Sequence, residues 1–229
     1  MKLSLGKLRI NSKNKGVELM GIYLDTAIVA EAAWASKFGW LSGITTNPTL
    51  LGKSDLSPDV TLKQLAKLIP GEVYYQLTAS DFDGMVAEGK AAFELIGQQT
   101  VLKVPATATG FQAVAHLSPS IPCAVTAIYS ASQAVVSAEA GAKYAIAYVN
   151  RATRLLGDGF SLVQDMANVL KQTNTEILAA SIKSPEEAVK TLLAGADHLT
   201  LPFDVLQAMA VHELSQQTVD EFAKNGRGI

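Results

Sequence analysis

Cysteine, histidine and charge are all scarce in this chain of 229 residues, and each scarcity excludes a class of protein or site. The single cysteine, Cys123, excludes an intrachain disulfide and a cysteine-based metal cluster, which fits a reducing cytoplasm. The three histidines lie far apart and none forms a ligand-spaced pair. The net charge is −2, and Lys and Arg do not cluster among aromatic residues, which argues against nucleic acid as a partner. We therefore expect a cytoplasmic protein with no metal ion or other cofactor.

Long apolar runs are also missing, since no run approaches the roughly 20 residues that span a membrane. With 48% hydrophobic and 17% charged residues, the chain is too apolar for disorder, so we expect a soluble globular protein without a membrane partner. Residues 1–20 are basic and polar, lack the apolar centre of a signal peptide, and end at a second methionine. We expect them to form an extension outside the fold, and residues 21–229 to form one domain that ends in a helical segment.

Eight short runs rich in apolar and β-branched residues alternate with longer alanine-rich segments. The alanine-rich segments carry apolar residues at the i, i+3, i+4 spacing of amphipathic helices. One of them, 184–196, begins with Ser184 as a helix N-cap and Pro185 at the first helical position. The sequence therefore predicts a strand–helix repeat, with strands at 22–26, 43–47, 73–78, 100–105, 123–128, 144–149, 176–181 and 198–203.

Eight strand–helix units are the number that closes a (β/α)8 barrel, the TIM barrel, in a single α/β domain. The alternative is an open, doubly wound sheet. That fold would favour a glycine-rich phosphate turn after the first strand, but "TAIVAEA" follows Asp25 without a glycine. The barrel is therefore the predicted fold.

A lysine stands in the fourth predicted strand, "TVLKVP", which otherwise has the composition of a strand buried on both faces. Lys103 has an ordinary structural interpretation, since a lysine near the end of a strand commonly extends its amine to water or to a carboxylate. If the amine is buried instead, the loss of hydration disfavours the ammonium form, and a neutral amine is a nucleophile. Lys183, in "ASIKSP", is the rival lysine, and we expect it to be exposed in a loop.

Polar residues follow or end nearly every predicted strand, where barrel enzymes carry their chemistry. Each has an ordinary alternative: Asp25 as a helix cap, Asn47 in a turn, Thr126 bonded to a backbone carbonyl, or Tyr148 in the core. Their alignment on one rim favours a functional site. The set is Asp25, Thr45, Thr46, Asn47, Gln76, Thr78, Lys103, Thr126, Tyr148, Asn150, Arg151 and Ser181.

Seven motifs from residue 21 to the C-terminus resemble the small transaldolase and fructose-6-phosphate aldolase family. They are "YLDTA" (23–27), "GITTNPTLL" (43–51), "VLKVPAT" (101–107), "VTAIYSASQA" (125–134), "YVNR" (148–151), "LAASIK" (178–183) and "LTLPFDV" (199–205). The resemblance implies a (β/α)8 barrel in which Lys103 forms a Schiff base with a ketose, beside Asp25 and Asn47. It also implies a homo-oligomer, a pentamer or decamer, whose C-terminal segment packs on a neighbour.

The substrates expected from this resemblance are sugar phosphates, and fructose 6-phosphate would be cleaved to dihydroxyacetone and glyceraldehyde 3-phosphate. Arg151 can bind a phosphate through its bidentate fork and Ser181 through its hydroxyl. The family commonly has an acidic residue two positions after this arginine, whereas this chain has Thr153. The departure bears on phosphate affinity more than on the Schiff base.

Two positions bear on the choice between aldolase and transaldolase. Transaldolases of the family tend to carry Glu and Phe where this chain has Gln76 and Tyr148, which resemble the aldolases. With Thr126, these side chains can hold one water in a fixed orientation for proton transfer. The sequence therefore favours an aldolase, with a transaldolase that acts on erythrose 4-phosphate as the alternative. A non-catalytic sugar-phosphate-binding barrel is a further alternative, against which Lys103, Asp25 and Asn47 argue, and a scaffold would leave the polar rim unexplained.

Overall fold

A computed structural model describes residues 20–228 and shows a closed barrel of eight parallel strands in chain order. The first strand pairs with both the second and the eighth, which closes the ring, so the single-domain (β/α)8 prediction is confirmed and the open sheet is excluded. The strands are β1 Gly21–Asp25, β2 Gly43–Thr45, β3 Glu72–Gln76, β4 Thr100–Pro105, β5 Cys123–Ile128, β6 Tyr144–Tyr148, β7 Glu176–Ala180 and β8 His198–Leu201.

Helices surround the barrel, and several of them begin with a side-chain N-cap. Ser184, for example, accepts a hydrogen bond from Glu187 N at 3.2 Å, as an N-cap serine does. The helices are α1 Val29–Ala35, α2 Pro48–Leu51, α3 Pro58–Leu68, α4 Phe82–Ile96, α5 Ala108–Leu117, α6 Ala131–Glu139, α7 Val149–Leu156, α8 Gly159–Leu170, α9 Pro185–Leu193, α10 Phe203–Met209 and α11 Glu213–Asn225.

The proposed extension, residues 1–20, lies outside the described residues except for Met20, so its role stays a prediction. None of the helices between residues 20 and 228 is long and apolar enough to cross a bilayer. The cytoplasmic location likewise stays a prediction from the sequence.

Two apolar layers hold the barrel together. The larger lies between the sheet and the helices and includes Leu24, Ile44 and Leu102, all fully buried. The smaller layer fills the inside of the barrel and includes Tyr74 and Val101. Its residues are the neighbours in sequence of strand residues that belong to the outer layer. Because successive side chains of a strand point to opposite faces, each strand contributes alternately to the two layers.

A carboxylate encircled by phenols closes the N-terminal end of the barrel. Glu72 Oε2 accepts hydrogen bonds from the hydroxyls of Tyr23 and Tyr74 at 2.9 Å and from that of Tyr144 at 3.0 Å. Lys143 Nζ donates to Glu72 Oε1 at 2.7 Å. Burial, and after it the negative charge of Glu72, raises the pKa of all three tyrosines well above its ordinary value.

These tyrosines predict a loss of stability in alkali. The unfolded chain releases phenolic protons above about pH 10 while the folded chain keeps them, so the stabilisation is complete below that pH and is lost above it. Each such phenol lowers the free energy of unfolding by up to about 1.4 kcal/mol per pH unit there. We expect Tyr144→Phe to make the fall above pH 10 shallower by about this amount, as measured by urea unfolding from pH 7 to 11. The two proteins should have parallel profiles between pH 7 and 9, and identical slopes above pH 10 would contradict the prediction.

Candidate active site

A cavity of about 390 Å³ opens at the C-terminal end of the barrel, the end at which barrel enzymes carry their chemistry. Eight of the twelve rim residues were given a role in catalysis or phosphate binding from the sequence, and seven of these line the cavity, while Thr126 contacts one of the seven. The lining residues are Asp25, Asn47, Pro48, Thr49, Leu50, Gln76, Lys103, Tyr148, Arg151, Ala180, Ser181 and Lys183.

Strand periodicity explains why these particular residues enter the cavity. The interior apolar layer contains Tyr23, Tyr74, Val101 and Ile146. Two positions after each of these, the same face of the strand presents a polar side chain at the cavity. These polar residues are Asp25, Gln76, Lys103 and Tyr148. The interior apolar layer thus lies directly beneath the polar side chains of the cavity.

Lys103 is 3% exposed, and β4 is buried along nearly its whole length, as the sequence predicted. Its Nζ donates one hydrogen bond to Thr46 O at 2.9 Å. This contact uses one N–H bond of the side chain, and the same nitrogen-bearing side chain lines the cavity. The amine is therefore fixed in place at the wall of the cavity.

Asp25 belongs to a chain of polar contacts across three strands. Thr45 Oγ1 donates to Asp25 Oδ1 at 2.7 Å and also contacts Thr200 Oγ1. Since Thr45 has one hydroxyl proton and gives it to Asp25, Thr200 is the donor in the second contact. The N-cap of α1 is Ile28, not Asp25. The carboxylate is thus held towards the cavity by neighbouring strands.

Tyr148 and Thr126 are hydrogen-bonded beside the lysine strand. Thr126 Oγ1 donates to Tyr148 Oη at 2.9 Å, which leaves the phenolic proton free to point into the cavity. A bulge between Val125 and Ile128 interrupts the pairing of β5 with β6 next to Thr126. On the other side of β4, Gln76 pairs in register with Lys103. Gln76 Oε1 is buried and has no hydrogen-bond partner within residues 20–228, so it can accept from a molecule in the cavity.

Positive charge dominates the rim of the cavity. Arg151 and Lys183 are exposed and line it, and the Arg151 guanidinium carbon lies 5.2 Å from the centre of the Tyr148 ring. Ser181, also in the lining, has φ of 61°, a left-handed conformation that is uncommon for a residue with a side chain. Such a rim suits an anionic group on the substrate.

Three details differ from the sequence-based expectations. The sixth strand ends at Tyr148 and not at residue 149, because the chain becomes helical directly after Tyr148 and places Asn150 and Arg151 in the first turn of α7. Thr78 lies beyond the end of β3, and its hydroxyl donates to Glu88 at 2.8 Å. Lys183 is exposed as expected, but it lines the cavity.

Two other residues show their ordinary roles clearly. Asn47 caps α2, with its side-chain oxygen accepting from Leu50 N at 3.0 Å, and it also lines the cavity. Thr153, in place of the acidic residue, joins α7 to α8, since its hydroxyl accepts from Gly159 N at 3.0 Å.

Thr200 and the position of Lys183 at the rim are not among the predictions from the sequence. Thr200 lies two positions after His198 on β8, so strict alternation along that strand would have found it. Lys183 lies two positions after Ser181 in a segment that is neither helix nor strand. Side chains of such a segment follow no regular alternation, so the sequence did not predict that Lys183 faces the cavity.

Comparison with known proteins gives one consistent result. A family profile described as Transaldolase/Fructose-6-phosphate aldolase matches residues 22–227. A protein named probable transaldolase from Nitrosopumilus maritimus is 38% identical over 210 residues, which cover 90% of this chain and 94% of that protein. Another of that name, from Roseiflexus sp. strain RS-1, is 39% identical over 207 residues, covering 89% and 95%. Among solved structures, a mandelate oxidase variant has a TM-score of 0.59 at 17% identity, covering 87% of this chain and 71% of that one, which shows the fold alone.

Proposed function

This chain belongs to the transaldolase/fructose-6-phosphate aldolase family and is an enzyme, and we propose that it cleaves fructose 6-phosphate through a Schiff base on Lys103. The observation that carries the proposal is the buried Lys103 amine, which lines the cavity with one N–H bonded to Thr46 O. An amine withdrawn from water and fixed in this way is prepared for addition to a carbonyl group.

The reaction follows from the chemistry of an iminium ion. Lys103 Nζ adds to C2 of the ketose, and loss of water gives a cationic imine that withdraws electrons from the C3–C4 bond. A water held by Gln76, Thr126 and Tyr148 takes the proton of the C4 hydroxyl, and that bond breaks as glyceraldehyde 3-phosphate leaves. The three remaining carbons stay on Lys103 as an enamine. Protonation of the enamine and hydrolysis of the imine release dihydroxyacetone and restore the lysine, and aldol addition is the reverse.

The fate of the enamine separates an aldolase from a transaldolase. We propose that Gln76, Thr126 and Tyr148 deliver a proton through a bound water, which makes release of dihydroxyacetone the main outcome. The contact of Thr126 with Tyr148 and the unpartnered Gln76 oxygen support this assignment. The transaldolase is the second candidate, and the names of the relatives favour it.

Product analysis tests the proposed activity. The enzyme is incubated with fructose 6-phosphate, with and without erythrose 4-phosphate. Free dihydroxyacetone without an acceptor supports the aldolase, whereas turnover that requires the acceptor supports the transaldolase. An absence of both reactions would contradict the proposal.

Substrate phosphate is proposed to bind at the positive rim. Arg151 offers two parallel N–H bonds, Ser181 a hydroxyl and Lys183 a second cation, and all three line the same cavity. Lys183 is an addition to the pair predicted from the sequence.

Asp25 is proposed to stabilise the positive charge of the iminium, a charge that develops only after the substrate has bound. We expect Asp25→Asn, which keeps an acceptor for Thr45, to lower kcat by about 10²-fold and to change KM by less than about threefold. Steady-state kinetics with fructose 6-phosphate measure both. A higher KM with an unchanged kcat would show that Asp25 serves to hold Thr45 and not to stabilise charge.

A homo-oligomer, the pentamer or decamer that the resemblance implies, is also proposed. Every residue of α11 is exposed in the single chain, including Leu214, Val219 and Phe222. An amphipathic helix with its apolar side chains in water supports burial against another copy.

A further inference from the structure

One carboxylate joins the two segments that carry the rim cations. Glu187, in the first turn of α9, accepts from Asn150 Nδ2 at 3.1 Å through Oε1 and from Lys183 N at 2.6 Å through Oε2. A third bond links the same segments directly, since Asn150 N donates to Ser181 O at 3.1 Å. The start of α7 and the segment after β7 are therefore joined twice, once through Glu187 and once directly, and we call these three hydrogen bonds the tie.

The tie lies next to the groups proposed to bind phosphate. Arg151 follows Asn150 directly, Lys183 is itself one of the bonded residues, and Ser181 accepts the third bond through its carbonyl. Ser181 also holds the left-handed φ of 61°, which persists only where neighbouring contacts fix the backbone. The direction of its hydroxyl thus depends on the segment that Glu187 anchors.

Helix capping alone does not account for these contacts. Ser184 and Glu187 have the S-x-x-E spacing of a capping box, and Ser184 Oγ accepts from Glu187 N. The Glu187 carboxylate, however, extends to Lys183 N, one residue before the N-cap, and across to Asn150 on another helix. Nothing in the cap of α9 requires the second of these bonds.

We propose that Glu187, with Asn150, is a positioning residue for recognition of the substrate phosphate. It fixes the separation of Arg151 from Ser181 and Lys183, so that the three groups meet one phosphate. The inference rests on the proposed function of the cavity. It predicts that damage to the tie weakens binding of phosphorylated substrates and leaves the chemistry at Lys103 intact.

Glu187→Gln and Asn150→Asp each break the tie without changing side-chain length. In Glu187→Gln, the new carboxamide NH2 is a donor that faces another donor, either Asn150 Nδ2 or Lys183 N, so one hydrogen bond is lost. In Asn150→Asp, two carboxylates face each other and neither can donate. The double variant restores a bond of reversed polarity, because the carboxamide introduced at position 187 can donate to the carboxylate introduced at position 150 while its oxygen still accepts from Lys183 N. Glu186→Gln is the matched control, since it removes the same charge from the same helix turn at an exposed position.

The readout is a ratio that the folded fraction of each variant does not affect. We measure kcat/KM for aldol addition of dihydroxyacetone to D-glyceraldehyde 3-phosphate, divided by that for D-glyceraldehyde. We expect each single variant to lower the ratio about tenfold through KM for the phosphorylated aldehyde, the double variant to recover most of it, and the control to keep it.

The outcomes separate this inference from the proposed function. If the wild-type enzyme prefers the phosphorylated aldehyde and Glu187→Gln retains that preference, the positioning role is wrong and the function stands. A loss in both single variants without recovery in the double variant also overturns the paired role of Asn150. If the wild-type enzyme catalyses the additions without preferring phosphate, the proposed phosphate site fails and this inference fails with it. If it catalyses neither addition, the proposed activity itself is wrong.

Discussion

Lys103→Met is expected to abolish both aldol activity and the mass increase that borohydride produces in the presence of dihydroxyacetone. Borohydride reduces an imine to a stable amine, so the adduct records the Schiff base itself. Methionine reproduces the apolar stem of lysine as far as Cε and lacks the amine, and the largest structural cost is the hydrogen bond that Thr46 O loses, about 1–3 kcal/mol. Intact-protein mass spectrometry checks the adduct, and thermal unfolding checks the fold.

Lys183→Met is the matched control for this experiment, because Lys183 lines the same cavity. Dihydroxyacetone carries no phosphate, so the control should still trap the adduct at Lys103. If Lys103→Met retains a reducible adduct that peptide mapping locates at Lys183 or at exposed Lys53, the Schiff-base assignment is wrong.

Tyr148→Phe is expected to slow release of dihydroxyacetone by about 10²–10⁴-fold, the usual contribution of a positioned acid or base. Phenylalanine keeps the ring that packs beside Arg151 and removes the hydroxyl that Thr126 contacts. Addition of Lys103 to the ketose should be affected far less, because the hydroxyl is proposed to act when the enamine is protonated. Borohydride trapping with fructose 6-phosphate should therefore yield as much adduct as in the wild-type enzyme.

Adding Gln76→Glu to Tyr148→Phe should lengthen the life of the enamine further. Transfer to erythrose 4-phosphate should then rise relative to release of dihydroxyacetone. The ratio of the two products in one mixture is the measurement, because it does not depend on the concentration of active enzyme. A ratio that stays constant in the single and double variants would remove the physical basis for preferring the aldolase.

Secondary structure and the position of the lysine were readable from the sequence. The predicted bounds of β4 and β5 are those of the structure, since short β-branched runs that end at Pro or at a cap signal have few alternatives. The apolar neighbours of Lys103 in β4 made a buried amine one of two interpretations, and its 3% exposure in the structure decides for burial. Local pattern carried this information because strand direction and helix capping depend on residues close in the chain.

Which strand-end residues enter the cavity was decided by tertiary structure. Gln76 and Thr78 were predicted at the same strand end, yet Gln76 faces Lys103 while Thr78 bonds Glu88. The difference arises because β3 ends at Gln76, and beyond that point the alternation of the strand no longer governs direction.

Contacts between segments far apart in the sequence were also visible only in the folded structure. Glu72 gathers Tyr23 and Tyr144, which are 49 and 72 positions away, and Glu187 reaches Asn150 at a separation of 37. The sequence by itself determined the strand–helix repeat, the barrel it predicts and the place of a lysine in the fourth strand. The folded barrel decided which side chains meet, because the distance between two strands or two helices depends on the geometry of the whole barrel and not on the residues within either element.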